Sequence, residues 1–513
     1  MIPLWRSLFK SMFGQRGAAA PDTTVRPAAP AQPSSTVPPG VFDRRPAVGQ
    51  STPLGVFCLP ADFAGDAVGR AIADGHPVSA ALSELARKYA APGEIALDIG
   101  AGFGGLSVLL SDLAGPAGQV LAFEADEYLC DVMQQTMRFN QRENVRVFYG
   151  AVYDDSRATV AFPAIPAAAD APYSGQRVDP AATGAVQTRS IDRMKIDARI
   201  SCLFIDTNGS ELQVLRGATA TIARFRMPVV IQCAPAGLAA TIDALKIFFD
   251  ALHYEIDCRP GSALCVALPQ NHAGTGRPAS AIEQAHPDIH APAPPSMATL
   301  CKVLQSHAQI DECTRYLKQW GYVPHNIACK NWDLAHLVPA IGDGNFLDMG
   351  SSDSYILKNL AHKRIRGELY GIDLRAPDVP ISNVRYLIGD LMRTPLPDGH
   401  FANITCLSVL EHQVDYDKFA AEASRLLAPG GRVFVTFDYW EPRVTPPVKL
   451  YELDWMPLDA AMVRRFISSC ARHGLDIVEN FDFTAGEPLI RWGYYSPHPD
   501  INYTFGMAAF RKR

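Results

Sequence analysis

The chain lacks the features that mark several protein classes. No apolar stretch approaches the ~20 residues that a bilayer-crossing helix needs. No lysine- or arginine-rich run occurs outside short patches; 47 basic residues face 53 acidic ones for a net charge of −6, so a nucleic-acid partner is not expected. Eleven cysteines are scattered singly and none forms a CxxC pair, so no metal site is predicted. An odd, unclustered set of this kind reads as reduced core thiols of a cytosolic protein. No acid precedes Asp22, and Arg6 and Lys10 interrupt the early apolar run, which excludes a signal peptide. In residues 1–17, Leu4, Trp5, Leu8, Phe9, Met12 and Phe13 recur at helical spacing beside Arg6, Lys10 and Arg16. The two readings are a basic amphipathic helix and a frayed terminus. Expected localisation is cytoplasmic, with residues 2–16 as a peripheral contact to the inner membrane face or to a protein.

What is present is a soluble-type composition, 48% hydrophobic and 19% charged, over 513 residues, too many for one ordinary domain. Residues 18–55 are rich in Ala, Pro, Ser and Thr and read as a linker. A second break covers 271–300. The units between and after them, 56–270 and 301–513, are each of ordinary domain size. In both, short β-rich apolar runs alternate with helical patterns. The first offers EIALDI, QVLAFEA, VRVFYGAV, SCLFID and MPVVIQCA, with helices beginning near Gly105, Tyr128, Ser210 and Gly237; the second offers NFLDMG, ELYGID, VRYLIGD, ITCLSVL and GRVFVTFD. The predicted fold is α/β: two Rossmann-like domains in tandem, each a mostly parallel twisted sheet flanked by helices.

In ALDIGAGFGGLSVLL, Asp98, Gly100, Gly102 and Gly104 stand where a buried strand turns into a helix. Glycine lets the backbone turn tightly and approach a ligand, and the helix start offers free N–H donors. Glu124 then ends the next strand, placed to accept ribose hydroxyls. Gly100, Gly102 and Gly105 also satisfy GxGxxG, which keeps a nicotinamide-dependent oxidoreductase or epimerase in view. In the second unit FLDMGSSDSYILKNL repeats the arrangement with Asp348, Gly350 and Ser352, and Asp373 ends the following strand.

From about 80 to 235 the chain resembles the FkbM family of methyltransferases, on ALDIGAGFGGLSVLL, VLAFEAD, NVRVFYGAVYDDS, VQTRSIDRMKI and SCLFIDTNGSELQVLRGATATI. It keeps Asp206, Gly209, Glu211, Leu215, Gly217 and Ala218 of the family's pattern. It departs at Phe204, where the family carries Lys, at Asn208, where it carries Glu, and at Gln232. The resemblance implies S-adenosylmethionine at Asp98, Gly100, Gly102, Gly104 and Glu124, and transfer to hydroxyls of a glycan or related natural product. Asp206, at the exit of the fourth strand, is the candidate for orienting or deprotonating the acceptor; its alternative is a helix cap. Glu211 reads as a helix-start carboxylate.

From about 340 to 440 the chain resembles the common class I methyltransferases, on GDLMRTPLPDGHF and the strand ending VLEH, with Ala402 where the family usually has Asp. This implies a second S-adenosylmethionine site at Asp348, Gly350, Ser352 and Asp373, with Asp390 on the adenine amino group and Leu391 lining the ring pocket. Glu411 and His412 are the acceptor-side candidates; the alternative for His412 is a structural or pocket-lining role. Ser408 stands where some quinone methyltransferases carry a metal-binding Glu, so no metal is expected there. Tyr439 and Trp440 are offered as an aromatic wall over the mouth, with packing as the alternative. A further alternative makes one domain a weak pseudo-methyltransferase that positions acceptor or partner while the other catalyses.

Overall fold

The computed structural model describes residues 46–154, 158–163, 173–179, 184, 186–194, 196–258, 263–270, 297–363, 365–377, 380–381, 383–412, 414–442, 448–450, 453–492, 495–496 and 501–513. Residues 1–17, read as either a basic amphipathic helix or a frayed terminus, lie outside them.

Every residue of β1 (Ile95–Ile99), β2 (Gln119–Glu124) and β3 (Val145–Tyr149) is buried, as parallel strands covered on both faces must be. With β4 (Ile200–Ile205), β5 (Val229–Gln232), β6 (Tyr254–Cys258) and β7 (Leu264–Pro269) they form one sheet in the order β6-β7-β5-β4-β1-β2-β3. Only β7 runs antiparallel to its neighbours. The two-residue period sorts the apolar side chains. Ala96, Ala122 and Val147 face one core, while Ile95, Leu97, Leu121 and Phe123 face the other.

The second half builds the same sheet again. Its strands are β8 (Phe346–Met349), β9 (Leu369–Asp373), β10 (Val384–Ile388), β11 (Phe401–Leu407), β12 (Leu427–Tyr439), β13 (Leu475–Ile477) and β14 (Thr504–Lys512). The order is β13-β14-β12-β11-β8-β9-β10, with Lys302–Val303 sharing β14's outer edge with β13. In both sheets the strand order reverses beside the first strand, at β1/β4 and β8/β11. That switch point opens a crevice at the carboxyl ends of the strands, where open α/β sheets bind ligands.

Two findings revise the sequence reading. Ala47–Thr52, inside the expected 18–55 linker, pairs with Gly55–Pro60 as an antiparallel hairpin in which Phe57, Cys58 and Leu59 are buried. Not all the cysteines are reduced: Cys258 and Cys265, directly opposite across β6 and β7, form a disulfide, while nine others are buried free thiols. Strand register, invisible in the spacing, brings that pair together.

The edge strand β3 is not open to solvent. Helix α1 (His307–Gln319), from the second half, lies against it, which covers unpaired backbone groups that would otherwise template aggregation. No helix among the described residues is long and apolar enough to cross a membrane.

Candidate functional site

Beyond β1 the chain turns through Gly100, Gly102 and Gly104, all at positive φ, and enters helix α2 (Gly105–Ala114). Gly100 is the constrained position: at φ +83° an added Cβ would lie 1.9 Å from the Asp206 carbonyl oxygen. The Gly100 and Ala101 N–H groups both donate to the Phe123 carbonyl, at 2.9 and 3.0 Å. The Gly102 N–H donates to Glu124 Oε2 at 2.9 Å, and the Asp126 N–H donates to Glu124 Oε1 at 2.9 Å. Each Glu124 oxygen therefore holds one backbone donor and keeps acceptor capacity for a ligand hydroxyl. Beneath the turn, Ser107 donates to Asp98 Oδ2 at 2.6 Å.

These groups line a cavity of about 650 Å³, within the range of small-molecule and cofactor sites. Its far wall is Asp206, Thr207, Asn208 and Gln232; its roof is His76, Phe162, Tyr173 and Gln176. The roof is tied down by Asp66, fully buried, which accepts from Gly69 N–H and from both the N–H and hydroxyl of Ser174. Asp206 faces the cavity and caps no helix; Glu211 opens the short helix Glu211–Arg216 and accepts from the Gly209 N–H at 2.8 Å.

The electrostatics are one-sided. Burial pushes Asp98 up to about 6, against the Ser107 hydrogen bond, and Glu124 up to about 7, against the two backbone donors. Asp206 is also raised to about 7, by its protein surroundings first and then by the charges of Asp98 and Glu211, although its carboxyl remains accessible to solvent. Among the described residues lining the cavity there is no lysine or arginine. Such a wall favours a ligand carrying positive charge and disfavours a pyrophosphate.

The second turn reproduces the first with serine. Gly350 (φ +92°) and Ser351 donate to the Ile372 carbonyl at 2.8 and 3.2 Å, and the Ser352 N–H donates to Asp373 Oδ2 at 3.0 Å. Thr405 donates to Asp348 Oδ1 at 2.6 Å, and burial raises Asp348 to about 6 against the hydroxyls of Ser354 and Thr405. Asp390 is exposed, its Oδ1 accepting from the Met392 N–H at 2.8 Å; Leu391 packs at the rim of the core.

Past β11 lies a buried charge cluster that the sequence reading named only in part. Glu411 and His412 sit in the 3₁₀ turn Leu410–His412, beyond the strand rather than closing it. Lys330 reaches across from 78 positions upstream, its ammonium touching the Ser408 hydroxyl, 3.8 Å from Asp333 and over the Phe505 ring at 3.9 Å. Asp438 accepts from Trp455 Nε1 at 2.8 Å, and Asp333 accepts from Thr436 at 3.2 Å. Burial, then the Asp438 charge, pushes Glu411 well above the usual carboxylate range; Asp333 and Asp438 rise to about 6 by burial, opposed by Lys330. Burial and then the Lys330 charge hold His412 low, which keeps its ring neutral. Lys330, Asp333, Asp438 and Trp455 carry no sequence signal, because only the closed sheet assembles them. Tyr439 is 1% exposed and packs in the core, and Trp440 packs against it, so neither forms an open aromatic wall. Among the described residues no cluster of His, Cys, Asp and Glu is arranged to hold a metal ion.

Residues 98–256 match the model of the methyltransferase FkbM domain, and residues 347–435 match a second methyltransferase domain model. The chain thus carries two methyltransferase domains in tandem. Among curated proteins it is similar to the demethylmenaquinone methyltransferase of Thermus thermophilus, with 31% identity over 98 residues, 17% of this chain and 44% of that protein. It is also similar to the arsenite methyltransferase of Aquipseudomonas alcaligenes, with 26% identity over 148 residues, 25% of this chain and 42% of that protein. The chain therefore spans less than half the length of these relatives. A solved S-adenosylmethionine-dependent methyltransferase from Mesorhizobium loti is 14% identical, covering 36% of this chain and 98% of its own, with a TM-score of 0.27.

Proposed function

From two methyltransferase domains built on matching turns, we propose that this protein is an S-adenosylmethionine-dependent methyltransferase with a donor site in each half. In the first half it O-methylates a hydroxyl of a glycan or related natural product. The observation that carries the reading is the repeated hydrogen bond from the turn to the acid ending the second strand, Gly102 N–H to Glu124 and Ser352 N–H to Asp373. That bond fixes a carboxylate where a ribose diol is bound while the glycine cradle admits the rest of the nucleoside. The acid-lined first cavity suits a sulfonium and an ammonium, and this charge preference disfavours the nicotinamide alternative.

When bound, the donor supplies an electrophilic methyl group whose bonding pair stays on sulfur as the new bond forms. The residues' part is to hold the acceptor oxygen in line and receive its proton. Asp206 fits that role. It stands at the switch-point crevice, one residue past Ile205, which pairs with Ile99 at the end of β1, and its pKa near 7 suits proton transfer at neutral pH. Thr207, Asn208 and Gln232 offer uncharged hydrogen-bonding groups beside it for an acceptor's other polar atoms.

The halves are unequal on the acceptor side, which favours unequal roles. The first exposes Asp206 to its cavity, whereas the second places its own Lys330 against Ser408, the first residue past β11. The first half is the transferase in this reading. The second binds donor and either positions the acceptor or acts on a different one.

Calorimetric titration of S-adenosylhomocysteine into the full chain tests the donor sites. Two saturable sites are expected, one removed by Glu124→Ala and the other by Asp373→Ala; no binding would sink the proposal. With labelled donor and sugar acceptors, Asp206→Asn is expected to slow transfer about 10²–10⁴-fold, the usual worth of a general base. Label found only on carbon or nitrogen would overturn O-methylation.

A further inference from the structure

One stretch of chain packs behind the residues that hold both turns. Residues 318–330 leave the end of α1, cross the outer strand of the first sheet and finish at Lys330 in the second site. On the first side, the buried Lys318 ammonium bridges Glu127 at 3.0 Å and Asp131 at 2.7 Å. Both acids lie on the helix Glu127–Phe139, whose cap Asp126 is itself bonded to Glu124. Arg189 and Arg146 each donate at 2.7 Å to the carbonyls of Gln319 and Trp320. Gly321, at φ +64°, lies so close to the Phe148 ring that an added Cβ would sit 2.8 Å from it. Phe148 stacks on Phe123 at 4.6 Å, and the Phe123 carbonyl is the one that holds the Gly100–Ala101 turn.

On the second side, Val323 exchanges two hydrogen bonds with Asn359, at 2.6 and 3.0 Å. The His325 ring packs 4.2 Å from that of Tyr355, the first residue of the helix that follows the serine turn. The stretch ends with the Lys330 ammonium against Ser408. Packed rings, buried ion pairs and backbone hydrogen bonds thus run without a break from one turn to the other.

We propose that residues 318–330 couple the two donor sites energetically, so that filling one strengthens binding at the other; this rests on the reading of both crevices as donor sites. A ligand seated on the first turn fixes Phe123, Phe148 and the helix bearing Glu127 and Asp131, and so orders the stretch that the second site must otherwise order for itself. A cost met once by two ligands is positive cooperativity, and linkage makes it reciprocal.

The test is S-adenosylhomocysteine titrated into the full chain, wild type against Glu124→Ala and Asp373→Ala. Each single-site variant reports the affinity of one site with the other empty. In wild type the second molecule is expected to bind about tenfold more tightly than those values, a typical coupling. Gly321→Ala and Lys318→Met change residues outside the lining of the first cavity and are expected to reduce that factor to one, with the single-site affinities measured in the same variants as the control; if either fails to fold, the other serves. Two sites titrating independently in wild type, a weaker second step, or an enhancement that survives both variants would overturn the coupling while leaving the donor sites standing. Absence of any binding would remove the reading on which it rests.

Discussion

The two halves reach one backbone geometry with different residues. In the first, three glycines at positive φ make the turn; in the second, only Gly350 does, and Ser351 and Ser352 follow it. Yet the first two N–H groups bond the same carbonyl position in each, and the next bonds the acid ending the second strand. What the crevice requires is one left-handed residue and donors in the right places. The halves part company where the fourth strand ends, with a cavity-facing carboxyl at Asp206 and an ammonium from Lys330. The turn geometry is shared and the charge set beside the end of the fourth strand is not.

The first way to break this comparison is at the left-handed glycines, where the largest effects are expected. Gly100→Ala would drive a Cβ to 1.9 Å from the Asp206 carbonyl, an atom of main chain that cannot swing away. Loss of S-adenosylhomocysteine binding in the first half is expected, with destabilisation of roughly 3 kcal/mol or more. Gly350→Ala meets the Val409 side chain at 2.5 Å, which can yield, so a smaller loss is expected. Gly102→Ala meets nothing within 4 Å. It should show only the backbone penalty, about 1–2 kcal/mol. Equal losses at Gly100 and Gly102 would deny the turn its shape-determining position.

Next come the hydroxyls under each turn. Ser107→Ala and Thr405→Val each strip a 2.6 Å hydrogen bond from a buried carboxyl, Asp98 or Asp348. Each is expected to cost about 1–3 kcal/mol, measured as a lower denaturation midpoint or weaker ligand binding. In both variants the carboxyl rises further, because the hydrogen bond that opposed burial is gone. If only one half responds, the two supports are not equivalent.

Much of this was legible in the sequence. The ten central strands fall where their apolar runs lie, nine of them because parallel strands covered on both faces admit little else; Val384–Ile388, at the sheet edge, has no buried residue. Asp98, Glu124, Asp206, Asp348 and Asp373 were legible because each is anchored to the end of such a strand. The unread parts arise from long-range closure. Lys330 lies between the short edge strand Lys302–Val303 and β8, and nothing near it announces a partner at Ser408. Cys258 and Cys265 meet through antiparallel register, and Asp66 and Tyr173 join the first site only when the roof folds over it. Tyr439 kept both its readings, wall and packing, because an aromatic just after a strand reads the same whether it turns inward or outward; the structure packs it inward.

The difference in acceptor-side charge is sharpened by pH. In the first site Glu124 and Asp206 carry pKa values near 7 and Asp98 near 6, so these groups are largely neutral at pH 5.5 and ionised at pH 8. Their raised values stabilise the empty fold below the unfolded carboxyl range, and that contribution is lost as pH rises through 6 to 7. For a cationic ligand the sign reverses, since ionisation supplies its attraction. The preference of the first site for S-adenosylmethionine over S-adenosylhomocysteine is therefore expected to grow about tenfold, or 1.4 kcal/mol, between pH 5.5 and 8. The second site, which already contains the Lys330 ammonium, should change less. A flat ratio in the first site would mean that its acids do not face the sulfonium.

The smallest effect is expected at Ser352, and it isolates what the serine turn contributes. The group that meets Asp373 is the Ser352 backbone N–H, at 3.0 Å, not its hydroxyl. Ser352→Ala keeps that donor and should leave the second site's affinity within about 0.5 kcal/mol of wild type, as for substitutions that touch no special feature. Ser352→Pro removes the same N–H and leaves an Asp373 oxygen without it, a loss of about 1–3 kcal/mol for a hydrogen bond to a charged group. Equal effects of the two substitutions would show that the hydroxyl matters, and that serine here is more than a small residue standing where the first half has glycine. An affinity that survives alanine and fails with proline would place the shared chemistry of both halves in the main chain.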